Sequence, residues 1–350
     1  TPLDIRLGSN FGSAGSVSTV AVNATSATFS GKTGSQMTLD ERFTETNRIR
    51  DAVDGASDAT GLVTILAGNV FTTPNSFVSP ATAASVQNAV TAASAGDTVW
   101  VQTGAYAAAG ATAAVDNLTV NVPTGVTGFT GVTLDAAVTD GSLTLSDDGA
   151  SNLTGNAGNN TITGNAGNNT ISGGAGNDTL TGNAGTNLLD GDAGVDTASF
   201  AGNYADYTLA FSGSSVLVTR TAGGSSVDTV SDVEKLVFAD KAVIVVGSAV
   251  GSEYTTVQSG IDAASAGDVV LVAAGTYTEN VTVNKRVTII GAGSGSDPAT
   301  STIITAAASG TSTIVYSAGG VDATSRQVLK NVRVTGASGG TGNNNSGILL

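Results

Sequence analysis

GNAGNNTIT, GNAGNNTIS, GGAGNDTLT, GNAGTNLLD and GDAGVDTAS fill Gly155–Ser199 as five consecutive nonapeptides. Glycine stands at the first and fourth positions of every copy, and the eighth is small or apolar: Ile162, Ile171, Leu180, Leu189 and Ala198. A copy with one apolar side chain can bury it only against other copies, so an unbroken nine-residue period specifies a stack of short strands, a solenoid. Glycine at positions one and four permits the positive φ of a tight turn, and the last three residues form the strand. Turns then line both edges of the stack, with successive turns on one edge two copies apart.

The pattern resembles GGxGxDxUx, the calcium-binding nonapeptide of RTX proteins, which winds a parallel β-roll. The resemblance implies Ca2+ between successive turns of one edge, held by main-chain carbonyls and the sixth-position Asp, since this hard cation takes about six to eight oxygens. Here the sixth positions read Asn160, Asn169, Asp178, Asn187 and Asp196. One edge offers the carboxylate pair Asp178 and Asp196, with Asn160 and Asp178 as a weaker site. The other, Asn169 and Asn187, offers no charge and is expected to be held by amide hydrogen bonds. The implied ligand set is Asp178 and Asp196 with Asn160, Asp192 and the turn residues Gly173, Gly176, Gly191 and Gly194. Residues 151–199 hold the acids Asp178, Asp190, Asp192 and Asp196 and no Lys or Arg, so the roll repels itself until a cation arrives. A metal-free, Asn-rich roll is the competing reading.

Composition narrows the partners. A formal charge of −15 argues against nucleic acid or an anionic membrane, which attract clustered Lys and Arg. Cys and His are both absent, which excludes disulfides, thiol chemistry and the commonest general base. No apolar run is long enough to span a bilayer. The N-terminus shows no basic and apolar leader, an expectation of a mature or trimmed chain.

A second repeat flanks the first. SVQNAVTAASAGDTVWVQTGAY at 85–106 and TVQSGIDAASAGDVVLVAAGTY at 256–277 match at twelve of 22 positions, and a looser relative occupies 49–71. Val257, Ile261 and Ala264 recur at helical spacing, which predicts a short helix ending near Gly267, followed by an apolar strand Val269–Val272 and a turn at Gly275. Short strands continue at 280–283, 287–290, 302–305, 313–316, 328–334 and 347–350 with no helix between them, as coils of a parallel β-helix do. Residues 254–350 resemble the start of a pectin-lyase-like right-handed β-helix, whose helix plugs the open core, and 85–145 repeat the scheme. The 49–71 relative begins too close to the next copy for a full solenoid between them. The pattern is still running at residue 350, so the coils are expected to continue or be completed by a neighbour.

After the roll, 196–245 resemble the module that follows RTX repeats, ending in DVEKLVFAD, and read as a β cap over the last rung. Asp228, Asp232 and Glu234 are candidate extra ligands there, although turn capping explains them equally. An enzyme is the alternative, because β-helix and RTX modules are joined in mannuronan C5-epimerases. Those enzymes depend on a His motif that this chain lacks, and Arg326, Lys330 and Arg333 have only Asp322 as a near acid. The expectation is an all-β chain: a Ser/Thr/Gly-rich region with a degenerate β-helix start (1–80), a short parallel β-helix (81–150), an RTX β-roll (151–199), a β cap (200–247) and a second β-helix (248–350). Its expected role is a secreted, calcium-stabilised, non-enzymatic protein of the bacterial cell surface: an S-layer, filament or adhesin subunit. It would leave by type I secretion, self-associate and meet surface polysaccharide. A polysaccharide lyase or epimerase, or its carbohydrate-binding module, is the alternative.

Overall fold

The computed structural model describes residues 22–46, 63–73, 86–106, 108–224, 226–247, 253–307, 312–317, 327–335 and 348–349. Two compact units form the chain: Thr1–Gly174 with Gly182–Gly185, and Ala175–Thr181 with Thr186–Leu350. Nearly all strands pair in parallel, as stacked coils require.

In the first unit one column of parallel strands runs Asn69–Thr72, Thr98–Val101, Leu118–Asn121, Ser142–Ser146, Thr161–Thr163. A second runs Ala111–Ala113, Gly131–Leu134, Asn152–Thr154, Thr170–Ser172. The β-helix and the roll therefore share both sheets. Each rung needs only an inward apolar residue in register: Leu118, Leu143 and Ile162 stack in one column, Val132, Leu153 and Ile171 in the other, all buried. The close spacing of the 49–71 relative is resolved by its strand Asn69–Thr72 being the rung next to Thr98–Val101; residues 49–62 lie outside the described ones. Of the alternating stretch 18–29, Val22–Asn23 pairs with Val63–Thr64, and 18–21 lie outside. The helix Leu39–Thr46 sets Phe43 edge-on to Phe71, with ring centroids 5.9 Å apart.

In the second unit a column runs Thr179–Thr181, Thr197–Ser199, Lys235–Val237, then antiparallel Ala242–Val246, then Val269–Val272, Thr288–Gly291 and Val328–Lys330. From Val269 onward each coil has three faces; Gly275–Thr278, Thr302–Thr305 and Val332–Thr335 form the second, and Val281–Val283, Ile314–Tyr316 and Ile348–Leu349 the third. The predicted helix spans Val257–Ala263 and buries Val257 and Ile261 against Ile244, Val246, Val270 and Val283, closing the core of the first coil. Its Gln258 clamps the coil below: the Thr282 N–H donates to Gln258 Oε1 (2.7 Å) and Gln258 Nε2 donates to the Thr282 carbonyl (3.3 Å). Gln87 makes the same pair with Thr112 in the first unit (2.7 and 3.0 Å). The internal duplication is thus one structural device used twice. Lys330 and Arg333 are exposed; Asp322 and Arg326 lie outside the described residues.

The segment after the roll divides in two. Tyr207–Ser212 and Ser215–Arg220 form an antiparallel hairpin, above a cluster of Phe200, Tyr204, Tyr207 and Phe238. Val227–Ser231 and Lys235–Val237 instead enter the roll itself, pairing in parallel with Leu188–Asp190 and Thr197–Ser199.

Candidate metal centre

The residue before each nonapeptide strand leaves the turn pointing inward. Asn160, Asn169, Asp178, Asn187 and Asp196 are at most 2 % exposed. Interior polar groups must be hydrogen-bonded or neutralised, and Asn and Asp turns meet this demand differently.

Asn turns satisfy themselves. In the first unit the Asn156 N–H donates to Asn160 Oδ1 (2.7 Å) and the Asn165 N–H to Asn169 Oδ1 (3.0 Å). The second-position side-chain Oδ1 atoms accept from the fourth-position glycine N–H, Asn156 from Gly158 and Asn165 from Gly167, both at 2.9 Å. They also accept the sixth-position amides of Asn160 and Asn169, both at 3.1 Å. Asn156 Nδ2 then donates to the carbonyls of Asp135 (2.8 Å) and Val138 (2.6 Å), and Asn165 Nδ2 to those of Gly149 (2.7 Å) and Ser146 (3.4 Å). In both turns an NH2 group thus lies between two main-chain carbonyls. The first-position glycine is what admits this packing: a Cβ on Gly155 would stand 2.0 Å from the Gly173 carbonyl oxygen and 2.4 Å from Asn160 Oδ1. Gly173 and Asn160 belong to the first unit, while Gly176, Asp178, Gly191, Asp192, Gly194 and Asp196 belong to the second.

The last Asp turn leaves an oxygen open. The Asp178 N–H donates to Asp196 Oδ1 (2.6 Å), while the Asp196 N–H donates to Glu234 Oε2 (2.9 Å). Ala175 and Ala193 pair in parallel, and the Val195 N–H donates to Asn177 Oδ1 (2.8 Å), so the two turns stack closely. Asp192 sits at φ 63° and its N–H donates to Asp190 Oδ1 (3.3 Å). Asp196 Oδ2, buried, has no hydrogen-bond partner. Burial, reinforced by the charges of Asp178, Glu234 and Asp192, pushes the Asp196 carboxyl up to about 7, against the pull of the Asp178 N–H. Burial likewise raises Asp228, which accepts from the Asn187 N–H (2.7 Å) and its Nδ2 (2.9 Å). Burial also raises Glu234, with Asp232 adding to the shift. A divalent cation fits such a turn: it supplies the charge that an open, buried carboxylate oxygen lacks. Among the described residues no three acidic side chains converge by themselves as a metal cage, so Asp196 and its neighbours would hold the ion together with main-chain carbonyls, and the ion would supply charge neutralisation.

Two parts of this lattice are faint in the sequence. Asp228-Thr-Val-Ser231 and Glu234-Lys-Leu-Val237 repeat positions six to nine of a nonapeptide, and the register places Asp228 beside Asn187 and Glu234 beside Asp196. Ser151, in SDDGASNLT at 146–154, holds the same position one turn before the first regular copy; its carbonyl accepts Asn169 Nδ2 (3.2 Å). An acid followed by a polar–apolar–polar or polar–apolar–apolar triplet, as at positions six to nine, was the available signal at Asp228 and Glu234, hidden by missing glycines.

A family model describes residues 146–180 and again 163–198 as RTX calcium-binding nonapeptide repeat (4 copies). Residues 146–198 are therefore RTX nonapeptides, repeats that bind calcium, and the match includes the irregular copy at 146–154. Such repeats are typical of extracellular proteins exported by type I systems. Comparison of the whole chain with curated proteins and with solved structures returned no match. No helix among the described residues is long and apolar enough to cross a membrane.

Proposed function

We propose that the chain is a secreted, non-enzymatic structural protein of the bacterial cell surface, an S-layer, filament or adhesin subunit, in which calcium sets folding and assembly. The observation that carries this reading is the open, buried Asp196 carboxylate at a stack of turns whose Asn counterparts need no metal. Where free calcium is low, repulsion among Asp178, Asp192, Asp196 and Glu234 disfavours the second unit; outside the cell, binding contributes folding free energy by mass action. Stacked parallel coils within each unit, resembling pectin-lyase-like modules, offer strand faces suited to self-association or to surface polysaccharide. The absence of His and Cys removes the commonest general base and the thiol nucleophile.

Calcium titration of the chelated chain, followed by circular dichroism and electron microscopy, tests the reading: ordered structure and assemblies are expected only with calcium. Loss of both carboxylates, Asp178→Ala with Asp196→Ala, is expected to weaken calcium binding and lower the melting temperature; unchanged values would refute the site. Formation of unsaturated products from alginate or pectin would refute the non-enzymatic reading.

A further inference from the structure

The segment 231–234 closes over the last nonapeptide turn, and its main chain takes the place of one more turn. The Gly191 N–H donates to the Ser231 carbonyl (3.0 Å). A Cβ on Gly191 would stand 2.0 Å from the Asp232 carbonyl oxygen and 2.6 Å from Asp196 Oδ2. Both oxygens thus crowd one small space beside a residue without a side chain, within reach of a single cation with bonds of about 2.3 to 2.6 Å. We propose that a calcium ion is held here, between the turn Gly191–Asp196 and the segment 231–234, by Asp196 Oδ2 and the Asp232 carbonyl, with the charges of Asp190, Asp192 and Asp232 acting on it from nearby rather than as a cage. The metal column then continues one step past the last RTX repeat. The proposal rests on the roll binding calcium.

The Asn turns act as an internal control. At Gly155 and Gly164 a Cβ would meet the same pair of groups, the sixth-position side-chain oxygen (2.4 Å in both) and a main-chain carbonyl one turn on, that of Gly173 or Gly182 (2.0 and 3.0 Å). There the side-chain oxygen takes the N–H of position two. In the last turn the position-two N–H, that of Asp192, donates to Asp190 Oδ1, and Asp196 Oδ2, on a residue 0 % exposed, has no donor. Asp190 and Asp192 bring charge close to Asp232, whose φ of 48° aims its peptide at the turn. Glu234 accepts the Asp196 N–H and so holds the ligand's main chain in place.

Calorimetric titration of the metal-stripped full chain with calcium, comparing wild type, Asp232→Asn and Asp178→Asn, counts the ions. Asn keeps the positive φ of Asp232 at little cost. Asp232→Asn is expected to lose one calcium equivalent, or to weaken one by at least about tenfold, and to leave the others unchanged. Asp178→Asn is expected to weaken a different equivalent. If Asp232→Asn fails to fold in calcium by circular dichroism, half-buried Asp190→Asn reads the same ion. The same number and affinity of calcium ions in the Asp232 or Asp190 variant would overturn this site and leave the roll's own calcium intact. A wild type that takes no calcium at all would overturn both.

Discussion

Asp196→Asn changes one buried atom and tests the electrostatics of the roll directly. The Asn carbonyl keeps the acceptor that the Asp178 N–H needs, and Asn160, Asn169 and Asn187 show that the position accepts an amide. The Asp196 carboxyl is raised from 3.8 to about 7, chiefly by burial. A raised folded-state value means that the metal-free fold is favoured while the group is protonated. This contribution is complete below about pH 4 and is lost as pH climbs through 7. At about 1.4 kcal/mol per pH unit the ceiling is about 4 kcal/mol at pH 8; solvent at the turn screens part of it, leaving on the order of 2 kcal/mol. Thermal unfolding followed by circular dichroism, in chelator at pH 5 and pH 8, is the assay. Wild type should melt several degrees lower at pH 8, and Asp196→Asn should lose much of that difference; the remainder belongs to Asp228, Asp232 and Glu234, which shift the same way. In calcium the order reverses: wild type gains about 2.7 kcal/mol at a hundredfold excess over Kd, and the variant gains less. A variant that is less stable than wild type in chelator at pH 8, or that keeps the full calcium gain, would refute the reasoning.

Three other substitutions separate packing from metal. Asn165→Ala removes the donor to Gly149 and the acceptor of the Gly167 N–H; a loss of about 1 to 3 kcal/mol, equal with and without calcium, is expected from denaturant titration. Gly194→Ala puts a Cβ 1.7 Å from the Gly176 carbonyl oxygen at φ 147°. The backbone cannot yield there, so a loss of roughly 3 kcal/mol or more should appear as a lower melting temperature even in saturating calcium. Leu180→Ala empties a fully buried rung and should cost about 2 to 5 kcal/mol by the same measurement.

Much of the fold is local enough to be legible. Nine residues contain a whole turn and strand of the roll, so Gly155, Ile162 and their counterparts state period, inward face and edge without reference to anything distant. The helix and apolar strand near Val257–Val272 are legible for the same reason, and their repetition near Val86–Val101 doubles the signal. The end of the roll is less legible. Val227–Ser231 and Lys235–Val237 follow a hairpin with a period of two, and they carry Asp228 and Glu234 without the glycines that mark a nonapeptide.

The sequence alone determined the β-roll, its two edges and the carboxylates available to a cation, because each follows from residue type within one short repeat. Only the tertiary structure decided which of those carboxylates keeps an open oxygen. Asn156 and Asn165 close their own turns with amide nitrogens. Asp196 instead receives its surroundings from Asp232 and Glu234, in the bend between two strands that return after the hairpin. Whether a buried oxygen is satisfied depends on what the chain brings back to it, and spacing within the repeat does not contain that information.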